Sequence, residues 1–178
     1  MYEPLFKFDP LSRFDPATKN NIVSLVLRVT LGGIFLYHGI LKVFGQSTLW
    51  GSTWVTPLWT HGSEFEPTVL QYFAVQILVA WGELLGGLAL LFGFLTRFAA
   101  IGLIVIQIGA VYLVTFVKGF SVQGGGYEYN LALIAMALVV VVVGSGKLSV
   151  DEWVLTRRRI QPSRQPTLLT GGAKPAAM

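Results

Sequence analysis

Four long apolar blocks, separated by polar segments, dominate this 178-residue chain. They run over Ile22–Leu41, Val69–Phe92, Phe98–Val117 and Tyr129–Gly144. Because roughly 20 apolar residues span a bilayer as an α-helix, each block predicts a transmembrane helix. We therefore expect an all-α integral membrane protein built as a four-helix bundle.

The polar segments complete the predicted domain organisation. Asp15-Pro16 is typical of a helix start, since Asp caps the first turn and Pro tolerates it. Ser149, followed three residues later by Glu152, forms a capping box that begins another short helix. The predicted parts are an interfacial N-terminal segment (1–21), a transmembrane domain (22–146), a short cytoplasmic helix (147–160) and a flexible tail (161–178).

The connection between the first two blocks is rich in tryptophan, with Trp50, Trp54 and Trp59. Tryptophan favours the membrane interface, where its ring is half apolar and its indole N–H stays wet. We expect this Trp-rich loop to lie in the outer headgroup region.

The basic residues predict an orientation. Of the 13 Lys and Arg residues, ten lie on the side of the two termini, whereas Lys42 and Lys118 lie towards the other side. The positive-inside rule therefore puts both termini in the cytoplasm. The positive-inside rule thus explains the net charge of +4, which gives no reason to expect a nucleic-acid partner. The basic run Arg157–Arg159 should anchor the chain to anionic lipid headgroups.

The chain contains no cysteine, which excludes disulfides, thiolate metal sites and iron–sulfur clusters. No spacing of His, Asp and Glu is typical of a metal site either. Any redox chemistry therefore requires a non-covalently bound organic cofactor or a partner protein.

Ionisable residues inside the apolar blocks are the strongest functional signal. Hydrophobic residues make up 53% of the chain and charged residues only 12%, yet five ionisable side chains lie within the blocks or at their ends: Arg28, His38, Lys42, Glu83 and Glu128. A charge in hydrocarbon is costly, so it normally faces the bundle interior and has a partner.

Depths counted at about 1.5 Å per residue group these side chains into two clusters. Arg28, Glu83 and Gln107 are expected to form a buried ion-pair cluster near the inner side. His38 and Lys42 are four residues apart on one helix face, and with Glu128 and Gln76 they are expected to form an outer cluster.

Both clusters have two interpretations. They fix helix register and packing, a role that buried polar groups can have. Alternatively, the outer cluster is a polar pocket in which His38 and Lys42 donate hydrogen bonds and Glu128 moves a proton. The glycine pairs Gly82/Gly86 and Gly102/Gly109 are expected to let helices approach closely.

Several short motifs resemble the DoxX family of small membrane proteins. Arg28, Gly32-Gly33, His38-Gly39 and Lys42 resemble its first helix, and Glu83-Leu84-Leu85-Gly86-Gly87 with Thr96-Arg97 resembles its second. Glu128, Gly144, Gly146 and Ser149-Val150-Asp151 resemble its ending. The resemblance implies a four-helix, multi-pass protein of the bacterial cytoplasmic (inner) membrane.

The resemblance also implies membership of a redox complex, with a quinone headgroup as the natural ligand of His38, Lys42 and Glu128. The main alternative is a non-catalytic scaffold or accessory subunit that stabilises a larger membrane complex. The expected partners are the lipid bilayer and other complex subunits or further copies of the chain. Whether the chain is itself an enzyme stays open.

Overall fold

The computed structural model of the protein describes residues 14–45 and 69–160. These residues form helices and turns, with no β-strand in either range. The Trp-rich loop, the segment before residue 14 and the tail after residue 160 lie outside the described residues. The all-helical fold class is confirmed for the part of the chain that the structure describes.

Five α-helices and four shorter helical turns make up the described chain. Helices α1 to α5 are Pro16–Ile40, Val69–Phe92, Thr96–Ala110, Glu128–Val143 and Val150–Ile160. A π-helical turn continues α1 (Leu41–Gly45) and another continues α3 (Val111–Thr115), and two 3₁₀ turns follow the latter (Phe116–Lys118 and Val122–Gly124). Helix α1 begins six residues before the predicted block because Asp15 accepts a hydrogen bond from the Thr18 N–H at 3.3 Å, which caps its first turn.

Three helical stretches are long and apolar enough to cross a membrane: Pro16–Gly45, Phe73–Phe92 and Thr96–Lys118. Helix α4 is equally apolar but has only 16 residues. Outward-facing side chains such as Val105, Val142 and Phe98 are exposed, as expected where lipid covers the surface.

The four long helices pack in a ring, in which α1 and α3 each contact both α2 and α4. Helices α1 and α3 are therefore diagonal to one another. The centre of the ring is an apolar core that every long helix contributes to: Leu31, Phe35, Leu90, Ala100, Leu103, Leu133, Ala137 and Val140.

Glycines set how these helices approach. A Cβ at Gly39 would lie 2.6 Å from the Leu84 Cα, and one at Gly32 would lie 2.7 Å from the Leu91 side chain, so α1 and α2 touch along their backbones. Gly82 and Gly86 pack against α3 in the expected way. The expectation for Gly102 and Gly109 is wrong, because both face outward with no neighbour within 4 Å.

Two polar regions flank the apolar core. The Arg28 layer consists of Ser24, Arg28, Thr96 and Asp151, at the end of the ring where α4 ends and α5 begins. The Lys42 pocket lies at the opposite end, where α1 ends and α4 begins, and is lined by His38, Lys42, Glu83, Gln107, Thr115 and Asn130 among others.

Candidate functional site

A partly buried ion pair is the centre of the Lys42 pocket. Lys42 Nζ lies 2.5 Å from Glu83 Oε2, and Glu83 is only 4% exposed. Lys42 belongs to the π-helical turn after α1, and π-turns are often found at functional sites. The contact between Gly39 and Leu84 brings the two backbones together beside this pair. Such a pair is tolerated in a low-dielectric interior because each charge compensates the other.

Neutral side chains of α3 and α4 form the other polar side of the pocket. Asn130 Nδ2 donates to Gln107 Oε1 at 2.6 Å, and the Thr115 hydroxyl lies 3.3 Å from Asn130 Oδ1. Thr115 ends the π-helical turn that follows α3. Both amides are at least nine-tenths buried, since Gln107 is 6% and Asn130 is 9% exposed.

Between these two sides lies a cavity of about 300 Å³. Its apolar lining includes Ile34, Phe35 and Leu133, so a few polar groups converge on a mostly apolar space. That volume and composition are typical of small-molecule sites, at the lower end of their size range.

His38 stands at the exposed edge of the cavity. The Tyr37 ring contacts the imidazole edge-on, with the ring centroids 5.5 Å apart. Tyr129, also exposed, lines the cavity as well. His38 is therefore placed to meet a ligand that reaches the cavity from its open side.

A glycine-rich loop between α3 and α4 borders the cavity through Val122, Gly125 and Gly126. The Glu128 carboxylate accepts a hydrogen bond from the Val122 N–H at 3.0 Å. Gly126 packs so tightly on the Gly119–Phe120 backbone that a Cβ would lie 2.7 Å from Phe120. Glu128 therefore holds the bordering loop and does not itself line the cavity.

The Arg28 layer is built differently, around main-chain carbonyls. Arg28 is 1% exposed, and its guanidinium donates to the carbonyls of Ser145 and Leu148, the latter at 2.7 Å. The Ser24 hydroxyl donates to the Gly144 carbonyl at 2.6 Å. These bonds hold the turn that connects α4 to α5.

Asp151 completes this layer by capping α3. Its carboxylate accepts from the Leu95 N–H at 2.7 Å, the Thr96 N–H at 3.0 Å and the Thr96 hydroxyl at 2.9 Å. Leu95 has φ 46°, a left-handed conformation that is unusual for a residue with a Cβ. Asp151 thus satisfies helix N-terminal donors that have no local side-chain cap. Ser149 accepts from the Glu152 N–H at 3.1 Å, which confirms the predicted cap of α5.

The two expected clusters are regrouped in the structure. In the outer cluster, His38 and Lys42 share the cavity, but Glu128 bonds the bordering loop and Gln76, although buried, does not line it. The expected inner cluster is wrong as a unit. Arg28 bonds main-chain carbonyls, whereas Glu83 and Gln107 line the Lys42 pocket.

The error in the inner cluster is one of register. The depth count put the start of the first helix at Ile22, level with the inner end of α2. With α2 ending near Phe94, that count puts Leu91 level with Leu25 of α1. Leu91 instead contacts Gly32, about seven residues or ~10 Å further along α1. Glu83 is consequently level with Lys42, not with Arg28.

Three contributing residues were missed from the sequence. Asn130 lies three and seven residues before the core residues Leu133 and Ala137, a spacing that puts it on the buried face of α4. That spacing could have identified it. Nothing local to Thr115 or Asp151 announces their long-range bonds. No group of three or more His, Cys, Asp or Glu residues in the described ranges is arranged to hold a metal ion.

Comparison with known proteins gives two relatives. An uncharacterised protein of Haemophilus influenzae is 33% identical over 87 residues, which cover 48% of this chain and 56% of that protein. A Bacillus subtilis protein named "Putative oxidoreductase CatD" is 28% identical over 138 residues, which cover 78% of this chain and 91% of that protein. The match thus spans little more than half the length of the Haemophilus relative.

No solved structure matches the chain. The sequence profile of the DoxX family matches residues 23–116, which is more than half of the chain and includes most of α1, all of α2 and α3, and the Lys42–Glu83 pair. The apolar helices agree with the small membrane proteins of which that family consists. The chain belongs to the DoxX family.

Proposed function

We propose that this DoxX protein is a multi-pass protein of the bacterial cytoplasmic membrane, with both termini in the cytoplasm and α4 completing a four-helix transmembrane bundle. Support comes from the three spanning-length helices, from the packing of α4 against α1 and α3, and from the basic residues flanking the terminal side. In this orientation the Lys42 pocket opens towards the outer leaflet.

Within the membrane, the protein acts as a subunit of a redox complex and binds a quinone in the Lys42 pocket. The observation that carries this proposal is the partly buried Lys42–Glu83 ion pair at the wall of a cavity of about 300 Å³. A quinone ring is apolar with oxygen acceptors, which matches a mostly apolar cavity with converging donors. The name of the Bacillus relative adds a second line of support.

The roles follow from the chemistry of each side chain. Lys42 donates a hydrogen bond to a quinone oxygen, and His38 donates at the cavity edge. Reduction of a quinone to a quinol takes two electrons, which a partner protein of the complex supplies, and two protons. Glu83, the carboxylate that lines the cavity, would hold a proton for this chemistry, a role expected at first of Glu128.

Calorimetric titration with a short-tailed benzoquinone in lipid nanodiscs tests this proposal. Lys42→Met alone would leave Glu83 buried without its cation, so the informative variant is the double Lys42→Met/Glu83→Gln. We expect binding to weaken at least ~10-fold, the loss of a charge-assisted hydrogen bond, with the bundle still folded. Wild-type affinity in the folded double variant contradicts the proposal.

A scaffold role is the second candidate function, and the outward face of α3 favours it. Gly102 and Gly109 leave open space on this face, and Ile108 beside them is exposed. Small residues of this kind allow another helix to approach closely. Gly102→Leu/Gly109→Leu should then release a partner protein from the complex extracted in mild detergent without weakening quinone binding. Retention of every partner protein contradicts this role.

A further inference from the structure

The hydrogen bonds on the neutral side of the Lys42 pocket all run in one direction, from Thr115 through Asn130 to Gln107. The Thr115 hydroxyl has two acceptors within range, and Asn130 Oδ1 at 3.3 Å is nearer than the Ala110 carbonyl at 3.5 Å. With its oxygen facing Thr115, Asn130 turns its Nδ2 group towards Gln107. Asn130 Nδ2 in turn donates to Gln107 Oε1 at 2.6 Å. Each bond therefore fixes the orientation of the next amide, and the chain of donors ends at Gln107.

The last donor of this chain is Gln107 Nε2. Its carbonyl oxygen is used by Asn130, and among the described residues no acceptor takes a hydrogen bond from Nε2. Gln107 is more than nine-tenths buried and lines the cavity. Because Gln107 lines the cavity, this N–H donor is available to an acceptor that enters the cavity.

Gln107 and the ion pair stand on different walls. Lys42 follows α1 and Gln107 belongs to α3, and these helices are diagonal in the ring. Both side chains line the same cavity. A ligand between them meets a cationic donor on one side and a neutral amide donor on the other.

We propose that Gln107 is a specificity-determining residue that binds the second carbonyl oxygen of a dione ligand whose first oxygen is bound by Lys42. Asn130 and Thr115 are positioning residues that keep the Gln107 Nε2 donor facing the cavity. The inference rests on the proposed quinone binding and adds which oxygen of the ring Lys42 and Gln107 each bind.

A cycle of variants and ligand analogues tests it. The variants are Gln107→Met, which keeps the length of the side chain and removes its donor, and Lys42→Met/Glu83→Gln. The ligands are a short-tailed 1,4-benzoquinone and a 4,4-dimethylcyclohexa-2,5-dienone with the same tail, a mono-ketone whose quaternary carbon replaces one carbonyl and prevents conversion to a phenol. Gln123→Met, in the exposed loop, is the matched control for losing a glutamine.

Gln107→Met should weaken binding of the dione by ~10-fold, the loss of a neutral hydrogen bond, and leave binding of the mono-ketone within about twofold. The Lys42→Met/Glu83→Gln variant should weaken both ligands, because both place an oxygen at Lys42. Thr115→Val should produce a smaller loss for the dione alone. Gln123→Met should change neither.

Two results distinguish a failure of the Gln107 role from a failure of quinone binding itself. If Gln107→Met weakens both ligands equally, or neither, while the double variant weakens both, quinone binding stands and the role of Gln107 is overturned. If the wild-type protein binds neither ligand, the proposed function itself fails. Circular dichroism of each variant in the same nanodiscs shows that it is folded.

Discussion

The Arg28 layer and the Lys42 pocket contain similar side chains and use them in different ways. In the Arg28 layer, Arg28 and Asp151 bond main-chain groups of neighbouring turns. In the Lys42 pocket, Lys42 bonds a carboxylate and faces a cavity. Buried charge alone therefore does not distinguish a structural cluster from a ligand site. What distinguishes them is whether the polar groups are covered by backbone or border open space.

Because of this difference, substitutions in the two regions should have different effects. Loss of a side chain in the Arg28 layer leaves main-chain carbonyls or N–H groups buried without partners, which lowers the free energy of unfolding. Loss of a donor in the Lys42 pocket removes a contact to the ligand, and a neutral double variant leaves no charge behind. Stability and binding should therefore respond separately.

The largest effect is expected for Arg28→Met. The Ser145 and Leu148 carbonyls lose their charged donor, and we expect the free energy of unfolding to fall by ~3 kcal/mol or more. Thermal unfolding in detergent measures it, with Arg157→Met on the exposed side of α5 as the control. An unchanged melting temperature would show that the layer is not structural.

Asp151→Asn should have the next largest effect. An amide offers one acceptor oxygen where the carboxylate accepts from Leu95 and Thr96, and it loses the favourable charge at the start of α3. We expect a loss of about 1–2 kcal/mol, the usual range for a helix cap. The neighbouring Glu152→Gln is the control, and an equal loss there would argue against a specific cap.

Glu128→Ala should have a smaller effect on the free energy of unfolding, and it tests whether Glu128 belongs to the ligand site. The carboxylate bonds the Val122 N–H at the exposed loop, so we expect a loss below ~1 kcal/mol and quinone affinity within a few-fold of wild type. Calorimetric titration beside Lys42→Met/Glu83→Gln measures the contrast. Equal loss of binding in both variants would show that Glu128 contributes to ligand binding.

The smallest effect is a pH dependence at the start of α1. The hydrogen bond from the Thr18 hydroxyl lowers the pKa of Asp15 below its ordinary value. A lowered pKa means that the cap stabilises the helix above the pKa of the unfolded chain and is lost as the pH falls through the folded value. The protection factor of the Thr18 amide, which corrects for the pH dependence of intrinsic exchange, should therefore fall as the pH is lowered from about 5 to 3, and Asp15→Ala should remove that dependence.

The sequence predicted the helices well because each depends on local patterns. The blocks of apolar residues located all four long helices, and Ser149 with Glu152 located the start of α5. The pairing of the charges was predicted less well, because it depends on how far each helix slides along its neighbour. Contacts of Gly32 and Gly39 with α2 set that register, and a count from the ends of the apolar blocks does not contain it.

The candidate site shows the same division. Lys42 and His38 were found from their spacing on one helix, whereas the acidic partner was taken to be Glu128 and is Glu83. Asn130 could have been recognised from its place on the buried face of α4. The bond from Thr115 to Asn130 depends on the π-helical turn after α3, for which no local signal was recognised.

The Lys42 pocket, and not the Arg28 layer, should hold a ligand. Native mass spectrometry of the protein extracted gently from a bacterial membrane tests it most directly. We expect the wild type to carry a quinone mass, an Arg28→Lys variant that remains folded to keep it, and Lys42→Met/Glu83→Gln to lose it. A quinone mass that persists in the folded pocket variant, or a wild type without any bound quinone, would contradict the account.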